Sequence, residues 1–174
     1  RHDGAVAPST MKETMSKTNP GNFFEDFELG QVIEHATPRT ITDGDRALSG
    51  ALYPTRFAVP SSAQFAAALG LSPAPVEELI AFHIAFGKTV PDVSLNAVAN
   101  LGYAECRFHR PIVTGDTLST KSEVIGLKQN SNGKSGVVYV RSTATDQNGE
   151  VVLDWARWVM VHKRDQAAPA PETV

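Results

Sequence analysis

One stretch limits what this chain can fold into more than any other. Residues 78–116 read ELIAFHIAFGKTVPDVSLNAVANLGYAECRFHRPIVTGD. A helical run from Glu78 meets Pro91-Asp92. An alternating segment follows and closes at Pro111 and the Gly115-Asp116 turn. The run is apolar nearly all round, which belongs inside a fold rather than on its surface. Only His83, Lys88, Asn96 and Asn100 break its buried character. Long strands follow it, so the pattern predicts an α+β domain in which an antiparallel sheet wraps one long central helix.

The chain has 174 residues, enough for one domain with a sizeable core. Residues 1–21 read as a disordered or extended arm, 22–164 as the domain, and 165–174 as an Ala/Pro tail of linker composition, after which a further segment is expected. Gln31 to Ile41 is predicted as the first strand. Thr42 caps a helix to about Leu52, with Asp43 and Asp45 in its first turn, where the helix dipole favours carboxylates. Residues 53–60 form a loop, and Ser61 or Ser62 caps a short helix ending at Gly70. The central helix runs from Glu77 to about Val90. Pro91 ends it, because the residue before a proline is pushed out of helical conformation. Strands are predicted over Ala97–Arg110, Thr117–Gln129, Gly136–Asp146 and Glu150–Lys163. In the last, Val151, Leu153, Trp155, Arg157, Val159 and Val161 share one face.

Several classes of function are disfavoured. Sixteen Lys and Arg stand against nineteen Asp and Glu, net −3, with no basic run, so a nucleic-acid partner is not expected. No apolar run reaches the roughly 18 residues of a membrane helix, so no membrane partner is expected. Cys106 is the only cysteine, which excludes an intrachain disulfide and favours the cytoplasm. Cys106 itself reads as a small buried residue. His35, His109 and His162 lie on separate strands without ligand spacing, so no metal site is expected.

Four segments together resemble the MaoC-like dehydratases. They are Phe24-Glu25-Asp26-Phe27-Glu28-Leu29-Gly30, Thr40-Ile41-Thr42-Asp43-Gly44-Asp45, Asn100-Leu101-Gly102-Tyr103 with Arg107-Phe108, and Arg110 to Leu118. Three more are similar to the amino-terminal half of the mesaconyl-CoA hydratase (β-methylmalyl-CoA dehydratase) subgroup. These are Gly21-Asn22-Phe23-Phe24, Phe82-His83-Ile84 with Phe86 to Asp92, and Ile125 to Lys128 with Asn130 to Lys134. The resemblance spans about residues 22–164. It implies a hot-dog fold, paired with a second hot-dog half or with a copy of itself.

Hydrating an enoyl thioester needs a base for water, an acid for the α-carbon, and donors aimed at the thioester oxygen. The resembled family carries Gly-Asp-x-Asn-Pro-x-His after its first helix, whose Asp and His serve as acid and base. Here the matching residues are Gly50-Ala51-Leu52-Tyr53-Pro54-Thr55-Arg56. Neither Ala51 nor Arg56 can transfer that proton. The resemblance therefore implies a hydro-lyase component with no catalytic residue of its own, coenzyme A entering only as part of the acyl-CoA substrate, and no other cofactor.

His83 remains a weak catalytic candidate, expected first as a packed, hydrogen-bonded histidine. His83, Lys88, Asn96, Asn100 and Arg56 are the substrate-binding candidates. A lysine in an apolar helix must reach a solvated or anionic site. Asn96 and Asn100 read first as turn residues leading into a strand, and Arg56, Arg107 and Arg110 as strand or loop arginines that could also meet coenzyme A phosphates. Two other functions stay open: a non-catalytic acyl-CoA-binding or structural hot-dog homodimer, and a hot-dog thioesterase, for which Glu77 and Glu78 are the only carboxylates near the central helix.

Overall fold

The computed structural model describes residues 20–54 and 56–166. The arm and the tail lie almost wholly outside these residues. The elements are β1 (Val32–Glu34), β2 (Arg39–Thr40), α1 (Asp43–Leu52), α2 (Ala58–Ser61), α3 (Ala63–Ala68), α4 (Glu78–Thr89), β3 (Ala97–Phe108), β4 (Thr117–Gln129), β5 (Ser135–Thr145) and β6 (Val151–His162). One antiparallel sheet has the order β1-β4-β5-β6-β3, with β2 also on β4. The four long strands form where predicted, and β4, β5 and β6 carry the alternation inward, whereas β3 is broken by register shifts on β6. β3 is an edge strand.

α4 lies across the inner face of the sheet. Ala81, Ile84, Ala85 and Thr89 are its buried residues, at helical spacing. Ala81, Ile84 and Ala85 meet Ile41, Ile112, Leu118, Ala144, Leu153 and Trp155 in one core cluster. Trp155 is fully buried and meets the Phe82 ring edge-on at 5.4 Å. A second cluster of Phe27, Val93, Val124, Val138, Val140, Val159 and Val161 fills the other end. The helix is not covered all round, however. Leu79 is 57% exposed and His83 is exposed, as are Val98, Leu101 and Tyr103 on β3.

Four expectations need correction. The predicted loop over 53–60 gives way at its end to α2, over Ala58–Ser61. The first strand is two short strands, β1 and β2, separated by a break in which Thr37 takes φ 62°. Their registers on β4 differ by two residues, as Glu34 faces Lys121 but Arg39 faces Leu118. Pro38 sits in that break and cannot donate to a ladder. α4 does not stop before Pro91. The winding continues as a π turn over Val90–Ser94, and Val90 keeps φ −60° and ψ −48°. A proline lacks the N–H and crowds the preceding turn, and widening that turn relieves both problems. Cys106 is exposed rather than buried. It lies where the β3–β6 register shifts between Ala104 and Arg107, after Glu105 at φ 53°.

The π turn is stitched to the start of the domain. Asn22 Nδ2 donates to the Asp92 carbonyl at 2.8 Å. Asn96 Nδ2 donates to the carbonyls of Pro20 and Asn22 at 3.0 and 3.3 Å. Gly21, at φ 73°, passes so close that a Cβ there would lie 2.8 Å from the Leu95 Cβ. The Gly21–Phe24 and Gly87–Asp92 segments, far apart in sequence, thus form one structural unit.

Candidate functional site

α1, α2 and α3 form a cap over the N-terminus of α4. Thr42 and Asp45 close a capping box at the start of α1, each side chain bonding the other's backbone N–H. This box fixes how α1 leaves the sheet. Ser62 caps α3 by accepting from Phe65 N–H. Beneath the cap lies a cavity of about 380 Å³, lined by Asp43, Arg46, Gly50, Pro54, Glu77 and Ile80 among others. Gly50 and Pro54 are the two positions that match the hydratase motif. The pocket that motif would serve is present, lined by the carboxylates of Asp43 and Glu77 but without the Asp and His of the motif, whose positions hold Ala51 and Arg56. Ala51 and Arg56 are exposed, and Arg46 donates through Nη2 to the Pro60 carbonyl at 2.8 Å.

A larger apolar groove, about 690 Å³, runs along the other side of the cap. Phe57, Phe65, Leu71, Leu79 and Phe108 line it, with Glu77, Glu78, His109 and Arg110 at polar positions. Both cavities reach Glu77, the N-cap of α4, which makes no side-chain capping bond. Among the first-turn N–H groups of α4, that of Ile80 turns back to the Glu77 carbonyl at 3.0 Å.

The five substrate-binding candidates line neither cavity. His83 stands on the exposed side of α4, its ring 6.1 Å from that of Phe82, with no hydrogen bond among the described residues. The expected packed, hydrogen-bonded histidine is absent because the flank of α4 that carries it is uncovered. Lys88 is half-buried in the last turn of α4, and Asn100 is exposed on the edge strand. Asn96 holds the leading segment. Arg56 is exposed beside the cap. His83 and Lys88 share α4 and Asn100 lies on the neighbouring strand, while Arg56 stands apart.

Three polar clusters escaped the sequence reading. His35 is buried, with Nδ1 2.7 Å from Asp92 Oδ2 and Nε2 2.8 Å from Ser122 Oγ, which in turn meets Ser142 Oγ at 2.7 Å. An Asp-His-Ser series invites a nucleophile reading. Ser122 is 0% exposed and its Oγ is engaged by both His35 and Ser142, so the series is a clamp between the π turn and the sheet.

Arg110 joins two turns. It donates to Asp116 Oδ2 at 2.9 Å and Asp146 Oδ2 at 2.7 Å. Burial pushes the Asp116 carboxyl up, but Arg110, the Val113 N–H and Gln147 together outweigh it and hold it below its ordinary 3.8. A carboxyl lowered by folding stabilises above its unfolded value, and that contribution is lost as pH falls through the folded one. We therefore expect urea midpoints to fall steeply below about pH 4. Asp116→Asn should flatten that acid limb and lower the midpoint at pH 7.

The third cluster surrounds Arg157, which is 1% exposed. Its Nη2 donates to Thr89 Oγ1 at 3.0 Å, and its guanidinium lies 4.6 Å over the Phe86 ring. Burial pushes the guanidinium down to about 10, and the Tyr103 hydroxyl acts in the opposite direction.

A helix seated in an antiparallel sheet, with a capped pocket at its N-terminus, defines a hot-dog unit of the hydratase and dehydratase class. The mesaconyl-CoA hydratase family model matches residues 5–171, and the chain belongs to that family. It is 66% identical over 159 residues to a β-methylmalyl-CoA dehydratase of Chloroflexus aurantiacus, covering 91% of this chain and 45% of that one. A crystal structure from C. aurantiacus, described as a MaoC domain protein dehydratase, superposes with TM-score 0.84 at 66% identity and the same two coverages. A Mycobacterium tuberculosis protein with a double hotdog fold superposes with TM-score 0.78 at 30% identity, covering 86% of this chain and 47% of that one. The chain thus spans about half the length of the curated relatives it matches.

Proposed function

We propose that this chain is the substrate-shaping half of a cytoplasmic hydro-lyase. The enzyme adds or removes water across an enoyl-CoA thioester of the mesaconyl-CoA or β-methylmalyl-CoA type. The observation that carries the reading is a formed pocket in which Gly50 and Pro54 match the hydratase motif while Ala51 and Arg56 stand in place of its acid and base. A second hot-dog half supplies the acid and base. It seats on the exposed flank of α4 and the β3 edge, where an unpaired strand next to apolar side chains invites pairing. Coenzyme A enters only as part of the substrate. His83, Lys88 and Asn100 face that seam and are the binding candidates best placed to meet the thioester, while Asn96 ties the leading segment to the strand entry and Arg56 stands apart.

A structural or acyl-CoA-binding homodimer is the second reading, and the same uncovered seam favours it. The thioesterase reading has less support. Glu77 and Glu78 sit at the N-terminus of α4, but the one buried Asp-His-Ser series among the described residues is bonded as a clamp between the π turn and the sheet.

The test is to mix the purified chain with mesaconyl-CoA and follow the enoyl thioester absorbance. No loss above the buffer rate is expected. Rapid turnover by the chain alone would overturn the reading. Binding without turnover, even after the other half of the C. aurantiacus relative is added, would favour the homodimer.

A further inference from the structure

Arg157 is a buried cation without an anion. It occupies a core position of β6, in the alternation Leu153, Trp155, Arg157, Val159, Val161, whose other members are 0% exposed. Its Nε and Nη1 are buried with no hydrogen-bond partner. Arg39, Arg110, Arg141 and Arg164 each meet a carboxylate. Arg157 forms no ion pair with any described residue. A guanidinium is not required to fill this space, since an apolar side chain of similar volume packs without desolvating a charge.

Its surroundings leave one way in. α4 covers it through Phe86 and Thr89. On one flank, β5 places Val140 opposite it, and Val140 is 0% exposed. On the other flank, β3 places Tyr103 opposite it. Tyr103 is 48% exposed and belongs to the edge strand. An anion meeting the buried Nε and Nη1 would enter by displacing Tyr103 at the seam between β3 and α4. A carboxylate side chain on a strand paired to β3 stands perpendicular to the sheet, beside Tyr103 rather than beneath it. A carboxylate at the end of a short, flexible acyl chain has no such restriction.

We propose that Arg157 is the receptor for the free carboxylate of a dicarboxylyl thioester, and hence the residue that selects diacid over monoacid substrates. The proposal rests on the hydro-lyase reading. It is tested in the enzyme assembled with the other half of the C. aurantiacus relative, using mesaconyl-CoA as the diacid and crotonyl-CoA as the monoacid. In R157M the ratio of kcat/KM for the two is expected to fall about 100-fold through KM for the diacid, as for loss of a buried charge partner. Crotonyl-CoA turnover and assembly by sedimentation should stay unchanged, and R157K should recover part of the ratio. An unchanged ratio overturns the proposal, including the case in which assembly weakens and both substrates decline together.

A second measurement needs neither turnover nor a variant. In the ¹⁵N-arginine spectrum of the unaltered chain, mesaconyl-CoA should move the Arg157 Nε–H signal and crotonyl-CoA should not. If the assembled pair hydrates neither thioester but this selective shift is seen, the hydro-lyase reading fails and the receptor stands. If both ligands or neither move the signal, the receptor assignment fails.

Discussion

Trp155→Ala is expected to destabilise the chain by about 3–5 kcal/mol, the range for removing a fully buried large aromatic. Trp155 is 0% exposed and belongs to the cluster that joins α4 to the sheet. Its ring receives Phe82 edge-on, and Phe82 in turn stacks on Phe86 at 5.7 Å. Removing it leaves a void beneath α4 that flanking strands held by ladder hydrogen bonds cannot close. Its Nε1 is buried without a partner, so no hydrogen bond is lost and the cost is one of packing and burial. Trp155→Phe keeps most of the ring contact and should cost markedly less. Urea unfolding with an unchanged slope measures both. A loss under about 1 kcal/mol would mean that α4 is not seated on β6 as described.

The second large effect concerns the seam rather than the core. Leu79 on α4 and Leu101 on β3 are 57% and 46% exposed. Placed there, two aspartates cost the isolated chain little, because both positions face water. In the assembled hydro-lyase each becomes a buried carboxylate without a partner, which is strongly unfavourable. The Leu79→Asp/Leu101→Asp variant should therefore keep its unfolding midpoint but bind the second half at least about 100-fold more weakly, equivalent to about 3 kcal/mol. Turnover at fixed concentration should fall in step. Equal loss of stability in the isolated chain would show that these leucines serve the fold and not an interface.

The long elements were legible because their burial is periodic. The alternation in β4, β5 and β6 and the apolar run of α4 dictate which face turns inward. The breaks were harder to read. Pro91 stands where a helix ordinarily stops, yet Asn22 and His35 anchor Asp92 from elsewhere in the chain and let the winding continue as a π turn. Pro38 marked the interruption between β1 and β2, but a run of β-branched residues around it read as continuous. Cys106 and His83 were misjudged for a common reason. Both lie on the side of the chain left uncovered, and a single sequence does not mark which apolar face waits for a partner. The departures from the hydratase motif were legible residue by residue at Ala51 and Arg56. Arg157 left a signal too: a charged residue in the apolar alternation of the last strand. Its lack of a carboxylate emerges only once the neighbouring strands are in place.

The central claim is that this half shapes a site whose proton chemistry comes from another half. The most direct measurement titrates the purified chain with the other half of the C. aurantiacus relative at fixed mesaconyl-CoA and follows the enoyl thioester absorbance. The account predicts no turnover at zero partner and a rate that rises to a plateau at one equivalent. A rate already at its plateau without the partner, or no rate at any ratio although the two halves associate, would contradict it.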